Sequence, residues 1–252
     1  MGSLDGTVAV VTGGAYSLGR AFADALAAEG AHIAIADIRD GSETAAAIAA
    51  AHGVRAESWL VDVTDEDSVA RFVAAAAEAF GSIGVLVNNA AFFAELPKLA
   101  FHEIPVDLWD RVMAVNVKGP FLMAKHVAPV MRTSGRGKII NIGSGTAYKG
   151  MRDLSVYVTS KAAILGLTRC LARELGPDGI NVNTLAPGLI ESPSVKDHPH
   201  HLSFTEQVVA SRAIQRPGQP NDLLGALVFL ASPASDFVTG QTLAVDGGSI
   251  ML

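Results

Sequence analysis

The chain has 252 residues, half of them hydrophobic and 17% charged, with a formal net charge of −6. This length suits a single α/β domain with a sizeable core; the acidic balance without a Lys/Arg run argues against a nucleic-acid partner, and no apolar run reaches the ~18 residues of a membrane span. The opening MGSLDGTVAVVTGG has no basic start and does not read as a signal peptide, and Cys170 is the single cysteine, so a cytoplasmic protein without an intrachain disulfide is expected.

Short β-branched runs predict strands at 7–12, 32–37, 55–61, 84–88, 137–143, 179–185 and 241–245. Between them, Ala-rich periodic runs predict helices near 18–29, 41–52, 65–80, 107–132, 155–176 and 221–231. Asp65 reads as an N-cap and Gly81 as a helix stop. Cys170 falls in the helix 155–176 and is read as a small core residue. Most strands are apolar on both faces, as in a parallel sheet covered on both sides. Strand–helix alternation without repeat or linker predicts one Rossmann-type, doubly wound domain over 1–252, with seven parallel strands and helices on both faces. Ligands of such sheets bind beyond the carboxyl ends of the strands.

The first strand runs into Thr12-Gly13-Gly14-Ala15-Tyr16-Ser17-Leu18-Gly19, and a helix follows at once. A glycine-rich turn there brings bare N–H groups and a helix N-terminus to a pyrophosphate. The second strand ends at Asp37, 18 residues after Gly19 and just before Ile38. A carboxylate there accepts bonds from both adenosine ribose hydroxyls and repels a 2′-phosphate, which favours NAD over NADP; Arg39 close by complicates this, and a helix cap or turn acid is the plainer role for Asp37. The third strand ends in Asp62-Val63, placed to touch adenine. The fourth ends in Asn88-Asn89-Ala90-Ala91, small and amide side chains that pass close beneath a nucleotide.

Together these segments resemble the short-chain dehydrogenase/reductase family in its compact single-domain form, over nearly the whole chain. TGGAYSLG is similar to the family's Thr-Gly-x-x-x-Gly-x-Gly turn and NNAA to its Asn-Asn-Ala-Gly. Tyr157-Val158-Thr159-Ser160-Lys161 matches Tyr-x-x-x-Lys, with Ser144 13 residues before Tyr157. Asn116 matches the helix Asn, and Pro187-Gly188 the pair after the sixth strand. Two residues depart from the pattern: Ser17 stands for the middle glycine and offers a hydroxyl to a phosphate, and Ala91 stands for the last glycine of NNAG. The resemblance implies a catalytic set of Asn116, Ser144, Tyr157 and Lys161. Leu18, Asn89, Ala90, Pro187, Gly188, Ile190 and Ser192 join the cofactor site, along with Tyr157 and Lys161.

The chemistry of these residue types agrees. Moving hydride from an alcohol requires a group that takes the hydroxyl proton. A tyrosine, with a pKa near 10, needs a nearby ammonium to serve, and Tyr157 and Lys161 share a helix face at i and i+4. The Ser144 hydroxyl can bond the substrate oxygen. Pro120 cannot donate to the carbonyl of residue 116, so a local kink is expected there; the resemblance implies a water on that carbonyl linked to Lys161. Pocket walls are expected from 144–153 and 91–97, with Ser144, Thr146, Met151 and Tyr157 on the substrate, Tyr148, Phe92 and Phe93 around it, and few fixed charges. Residues 191–215 are expected to form a lid. His198, His200 and His201 lack completing ligands, so no metal is expected.

The expected activity is NAD-dependent interconversion of a secondary alcohol, apolar or aryl, and its ketone. FLMAK and GQTLAVDGG are similar to bacterial phenylethanol-type secondary-alcohol dehydrogenases. A 3-oxoacyl-carrier-protein reductase and a catalytically silent NAD-binding scaffold are the alternatives. The resemblance further implies a homotetramer built on the long helices and the C-terminal strand.

Overall fold

The computed structural model describes residues 2–198 and 205–251. Seven strands form one parallel sheet: β1 (Val8–Thr12), β2 (His32–Asp37), β3 (Ala56–Leu60), β4 (Val85–Asn88), β5 (Gly137–Ile142), β6 (Ile180–Pro187) and β7 (Thr242–Val245). Their spatial order is β3-β2-β1-β4-β5-β6-β7. Each lies within a residue or two of its predicted bounds. The order reverses direction between β1 and β4, and such a reversal opens a crevice at the carboxyl ends of the two strands.

The inner strands are buried on both faces because helices cover both. Along β1, Ala9 and Val11 face a core with Phe22, Leu26, Ile48, Leu223 and Leu227. Val10 faces the opposite core, with Phe72, Val73, Met123, Val127 and Met131. The two-residue strand period thus feeds two hydrophobic layers from one run. The first layer is covered by α1 (Ser17–Ala28), α2 (Ser42–His52) and α10 (Asn221–Ala231). The second is covered by α3 (Glu66–Phe80), α5 (Gly119–Ser134) and α7 (Ser155–Leu175). Asp65 caps α3 by accepting from the N–H of Asp67 at 3.0 Å, and Gly81 ends it at φ 81°. The edge strands β3 and β7 are only partly covered.

Two expectations need correction. The helix predicted over 107–132 is three consecutive pieces: α4 (Val106–Met113), a π-turn at Ala114–Lys118, and α5. The N–H of Gly119 reaches back to the carbonyl of Ala114, one residue further than in an α-helix. Pro120 sits just after it and contributes no N–H, which is why the ladder shifts here. Cys170, read as a core residue, is exposed. The buried face of α7 runs through Ser160, Lys161, Ile164, Leu165, Thr168, Ala172 and Leu175, and position 170 lies out of that phase. Among the described residues no helix is long and apolar enough to cross a membrane.

Candidate active site

The crevice at the switch point is bolted by side chains of β1 and β4. The Thr12 hydroxyl donates to the carbonyl of Val87 at 3.3 Å and accepts from the N–H groups of Asn89 and Ala90, both at 3.0 Å. Asn89 Nδ2 donates to the carbonyls of Thr12 and Gly13 at 2.9 and 3.2 Å. These bonds press the two strand ends together, so the turn beside them has no room for side chains at positions 13 and 19. A Cβ on Gly13, at φ 64°, would lie 3.0 Å from Ala90 Cα, and one on Gly19 would overlap the Gly13 carbonyl.

Ser17 opens α1 with φ 53°, a left-handed conformation unusual outside glycine. That backbone requirement explains why a glycine is expected at this position. The serine hydroxyl does not point to solvent. Its oxygen lies 2.8 Å from Ser194 Oγ and accepts from the Ser194 N–H at 3.2 Å. Next to it, the Tyr16 hydroxyl donates to Asp197 at 2.9 Å. Both partners lie in or beside α8 (Pro193–Lys196), so the glycine-rich turn holds the first part of the segment predicted as a lid. The rest of that segment contains α9 (Thr205–Ala210); His200 and His201 lie outside the described residues. Among the described residues no cluster of potential metal ligands occurs.

A cavity of about 640 Å³ runs along the carboxyl ends of the strands. At one end Asp37, 9% exposed, accepts from the N–H of Ala15 and of Arg39, each at 3.0 Å. Its carboxylate therefore braces the turn, and each oxygen retains further acceptor capacity. Ile38 stands 72% exposed beside it, with Asp62 and Val63 on the same wall. Arg39 lies 5.7 Å from the Tyr16 ring centroid and 3.6 Å from Glu95. Gly13, Ser17, Leu18, Gly19, Ala90 and Ala91 line the middle of the cavity, and Pro187, Gly188, Ile190 and Ser192 its far wall. The glycine cradle, the Asp37 carboxylate and the flat apolar wall fit a nicotinamide dinucleotide.

At the other end Ser144, Tyr157 and Lys161 converge, all buried. The Ser144 hydroxyl is 2.9 Å from that of Thr146. Lys161 Nζ donates to the carbonyl of Ile142 at 2.7 Å and lies 5.8 Å from the Tyr157 ring centroid. Phe93 packs on the Tyr157 ring with centroids 4.5 Å apart. Burial pushes Tyr157 up to about 12, against a hydrogen bond with Ser144 that pulls it down. Burial also lowers Lys161 to about 8. The net lowering expected of Tyr157 is not found here, because the apolar surroundings disfavour the charged forms of both residues.

Asn116, predicted beside these three, does not line the cavity. It sits in the π-turn, 1% exposed; its Oδ1 accepts from the Phe92 N–H at 2.8 Å and its Nδ2 donates to Ser160 Oγ at 3.0 Å. Ser160 in turn donates to the carbonyl of Tyr157 at 2.7 Å. Ser160 escaped the sequence reading because a serine inside a helix carries no distinctive signal. Thr146, Met151, Phe92 and Phe93 line the cavity as expected; Tyr148 does not, since its place on the short helix α6 (Thr146–Lys149) turns it to the surface. The walls are also more charged than expected: Arg111 and Lys149 belong to them. Behind the far wall the buried Arg212 donates to the carbonyls of Leu189 and Arg216 at 2.7 and 2.8 Å, fixing the strip after β6.

Comparison with known proteins agrees with this geometry. A family profile described as "Enoyl-(Acyl carrier protein) reductase" matches residues 13–249. The chain is 41% identical to sorbitol dehydrogenase of Cereibacter sphaeroides, covering 98% of this chain and 99% of that one. It is also 41% identical to cis-4-hydroxycyclohexanecarboxylate dehydrogenase of Sinomonas cyclohexanicum, covering 96% and 95%. A solved structure from Beutenbergia cavernae, assigned as an NAD(P) dependent gluconate 5-dehydrogenase with NADP bound at low occupancy, superposes with a TM-score of 0.90 at 34% identity, covering 98% and 97%. The fold, the serine–tyrosine–lysine cluster and these matches together make the chain a member of the short-chain dehydrogenase/reductase family, an oxidoreductase built on a nicotinamide-cofactor fold.

Proposed function

We propose that the chain is an NAD-dependent dehydrogenase/reductase that interconverts a secondary alcohol and its ketone, with Tyr157 as acid/base. The observation that carries this reading is one cavity with Asp37 at one end and Ser144, Tyr157 and Lys161 at the other. When bound, the cofactor supplies the hydride acceptor or donor. The chain's own residues handle the proton and the oxygen. In ketone reduction the neutral Tyr157 hydroxyl gives its proton to the carbonyl oxygen as that oxygen gains negative charge. The Ser144 hydroxyl donates to the same oxygen and stabilises the charge. In alcohol oxidation the tyrosine accepts the proton as a phenolate, and the Lys161 ammonium favours that form. Asn116 acts through Phe92 and Ser160 as a positioning residue for this end of the cavity.

Asp37 supports NAD over NADP, since a 2′-phosphate beside a buried carboxylate meets like charge. Phe92, Phe93, Met151 and Leu154 give the carbon body of the substrate an apolar wall. Sorbitol and a hydroxylated ring acid, named for the relatives above, both carry secondary hydroxyls. Residues 191–215 serve as the lid, anchored on Tyr16 and Ser17. A cytoplasmic homotetramer is the expected working form.

Initial rates on a panel of secondary alcohols, with NAD and with NADP, test the reading. NAD-dependent turnover is expected, weaker with NADP, and Tyr157→Phe should lower kcat by about 10²–10⁴-fold. Preference for NADP together with turnover of acyl-chain ketones would favour the carrier-protein reductase reading. Cofactor binding without turnover of any alcohol or ketone would favour a silent scaffold.

A further inference from the structure

Opposite the apolar wall, a cation and a hydroxyl from separate segments meet on the cavity. Lys149, the last residue of α6, donates to Ser249 Oγ at 2.6 Å. Lys149 and Ser249 both line the cavity that holds Tyr157. Ser211, just after α9, lies 3.3 Å from Ser249 Oγ and gives its own proton to the carbonyl of Val208 at 2.8 Å. Among the described residues Lys149 makes no ion pair. Asp246, also on the cavity lining, accepts from the N–H groups of Gly248, Ser249 and Ile250, so its oxygens are engaged by the C-terminal turn. The serine proton reaches only the long contact to Ser211 and is available to a better acceptor. A lysine and a hydroxyl donor, side by side and with no carboxylate paired to the lysine among the described residues, therefore face the site in a chain of net charge −6.

We propose that Lys149 and Ser249 bind the carboxylate of a hydroxy acid whose carbinol sits at Ser144 and Tyr157. One lysine with a neutral hydroxyl matches a monoanion; a phosphate would call for more charge or a guanidinium fork. Thr146, whose hydroxyl touches Ser144, and Lys149 are i and i+3 on α6, so the two groups share one face of the same short helix. The substrate body between carbinol and carboxylate lies on Phe92, Phe93 and Met151. The inference rests on the alcohol dehydrogenase reading and refines its substrate.

The test compares 4-hydroxycyclohexanecarboxylate with its neutral counterpart 4-(hydroxymethyl)cyclohexanol, in the wild-type protein and in Lys149→Gln and Ser249→Asp. The wild type should prefer the acid in kcat/KM by about tenfold or more. Both variants should lower the acid-to-neutral ratio about tenfold, chiefly through KM. Equal use of both compounds, or an unchanged ratio in Lys149→Gln, would overturn the proposal, as would a loss found only in Arg111→Gln, the other cation on the wall. Calorimetric titration of cyclohexanecarboxylate and cyclohexylmethanol separates this from failure of the parent reading, because it needs no turnover. Acid binding that is tighter than alcohol binding and lost in Lys149→Gln supports the anion site even if no alcohol reacts; equal binding of the two removes it.

Discussion

Ser17 shows how a single side chain can serve the fold and the site in opposite directions. Its φ of 53° costs a non-glycine residue roughly 1–2 kcal/mol. Its hydroxyl recovers part of this through the bonds with Ser194, which join the glycine-rich turn to the start of the segment proposed as a lid. The two contributions can be separated by substitution. Ser17→Ala keeps the strain and loses the bonds; Ser17→Gly loses both. Chemical denaturation should rank Ser17→Gly about 1 kcal/mol above Ser17→Ala. Equal stabilities would mean the turn relaxes around alanine and carries no strain. Tyr157 and Lys161 display the same tension. Burial penalises the charged form of each, yet a phenolate at Tyr157 beside the Lys161 ammonium is what the proposed oxidation uses.

At the scale of elements, the π-turn at 114–118 is the feature that shapes the site. One extra residue in the turn carries Asn116 inward between the β4 loop and α7, where its amide ties Phe92 to Ser160. Asn116→Ala leaves the part-buried Phe92 N–H without its acceptor, a loss of about 1 kcal/mol in stability. As a positioning residue it should act on the reaction more than on the cofactor: kcat should fall by tenfold or more while the cofactor Kd, read by protein fluorescence, changes less than threefold. An equal loss in both would make its role purely structural. The existence of this helix was plain from the periodicity of 107–132, and Pro120 pointed to the place of the irregularity. What the irregularity brings together was not readable, because Ser160 and Phe92 lie 44 and 24 residues away along the chain. Cys170 was misplaced for a related reason: the phase of a helix against its sheet is set by packing and is poorly fixed by local composition.

At the scale of the whole molecule, the surface carries apolar groups that a lone chain does not need. Trp109 and Val106 on α4, Phe121 on α5, Phe229 on α10 and Phe237 before β7 are all exposed, and β7 is an unpaired sheet edge. Exposed apolar patches and free edges are the usual places for subunits to meet. For the proposed homotetramer, static light scattering should give the mass of four chains. The mass of one chain would leave these groups without a partner and refute the tetramer. Replacing Phe237 with Asp should shift the tetramer toward smaller species while leaving the cavity residues in place, which near-ultraviolet circular dichroism can check.

The sequence by itself determined the strand–helix alternation, the seven strands to within a residue or two, and many of the strand-end residues that line the cavity. It did so because buried parallel strands and glycine turns are local in character: β-branched runs, bare backbone and an acid at a strand end can each be read within a few residues. Only the tertiary structure decided which of those residues share a wall and which stand behind it. Asn116 lies behind, Tyr148 lies outside, and Lys149 meets Ser249 across 100 residues of chain. It also decided the electrostatics, since the opposed shifts of Tyr157 and Lys161 arise from burial, which depends on everything packed around them and on no local run of sequence.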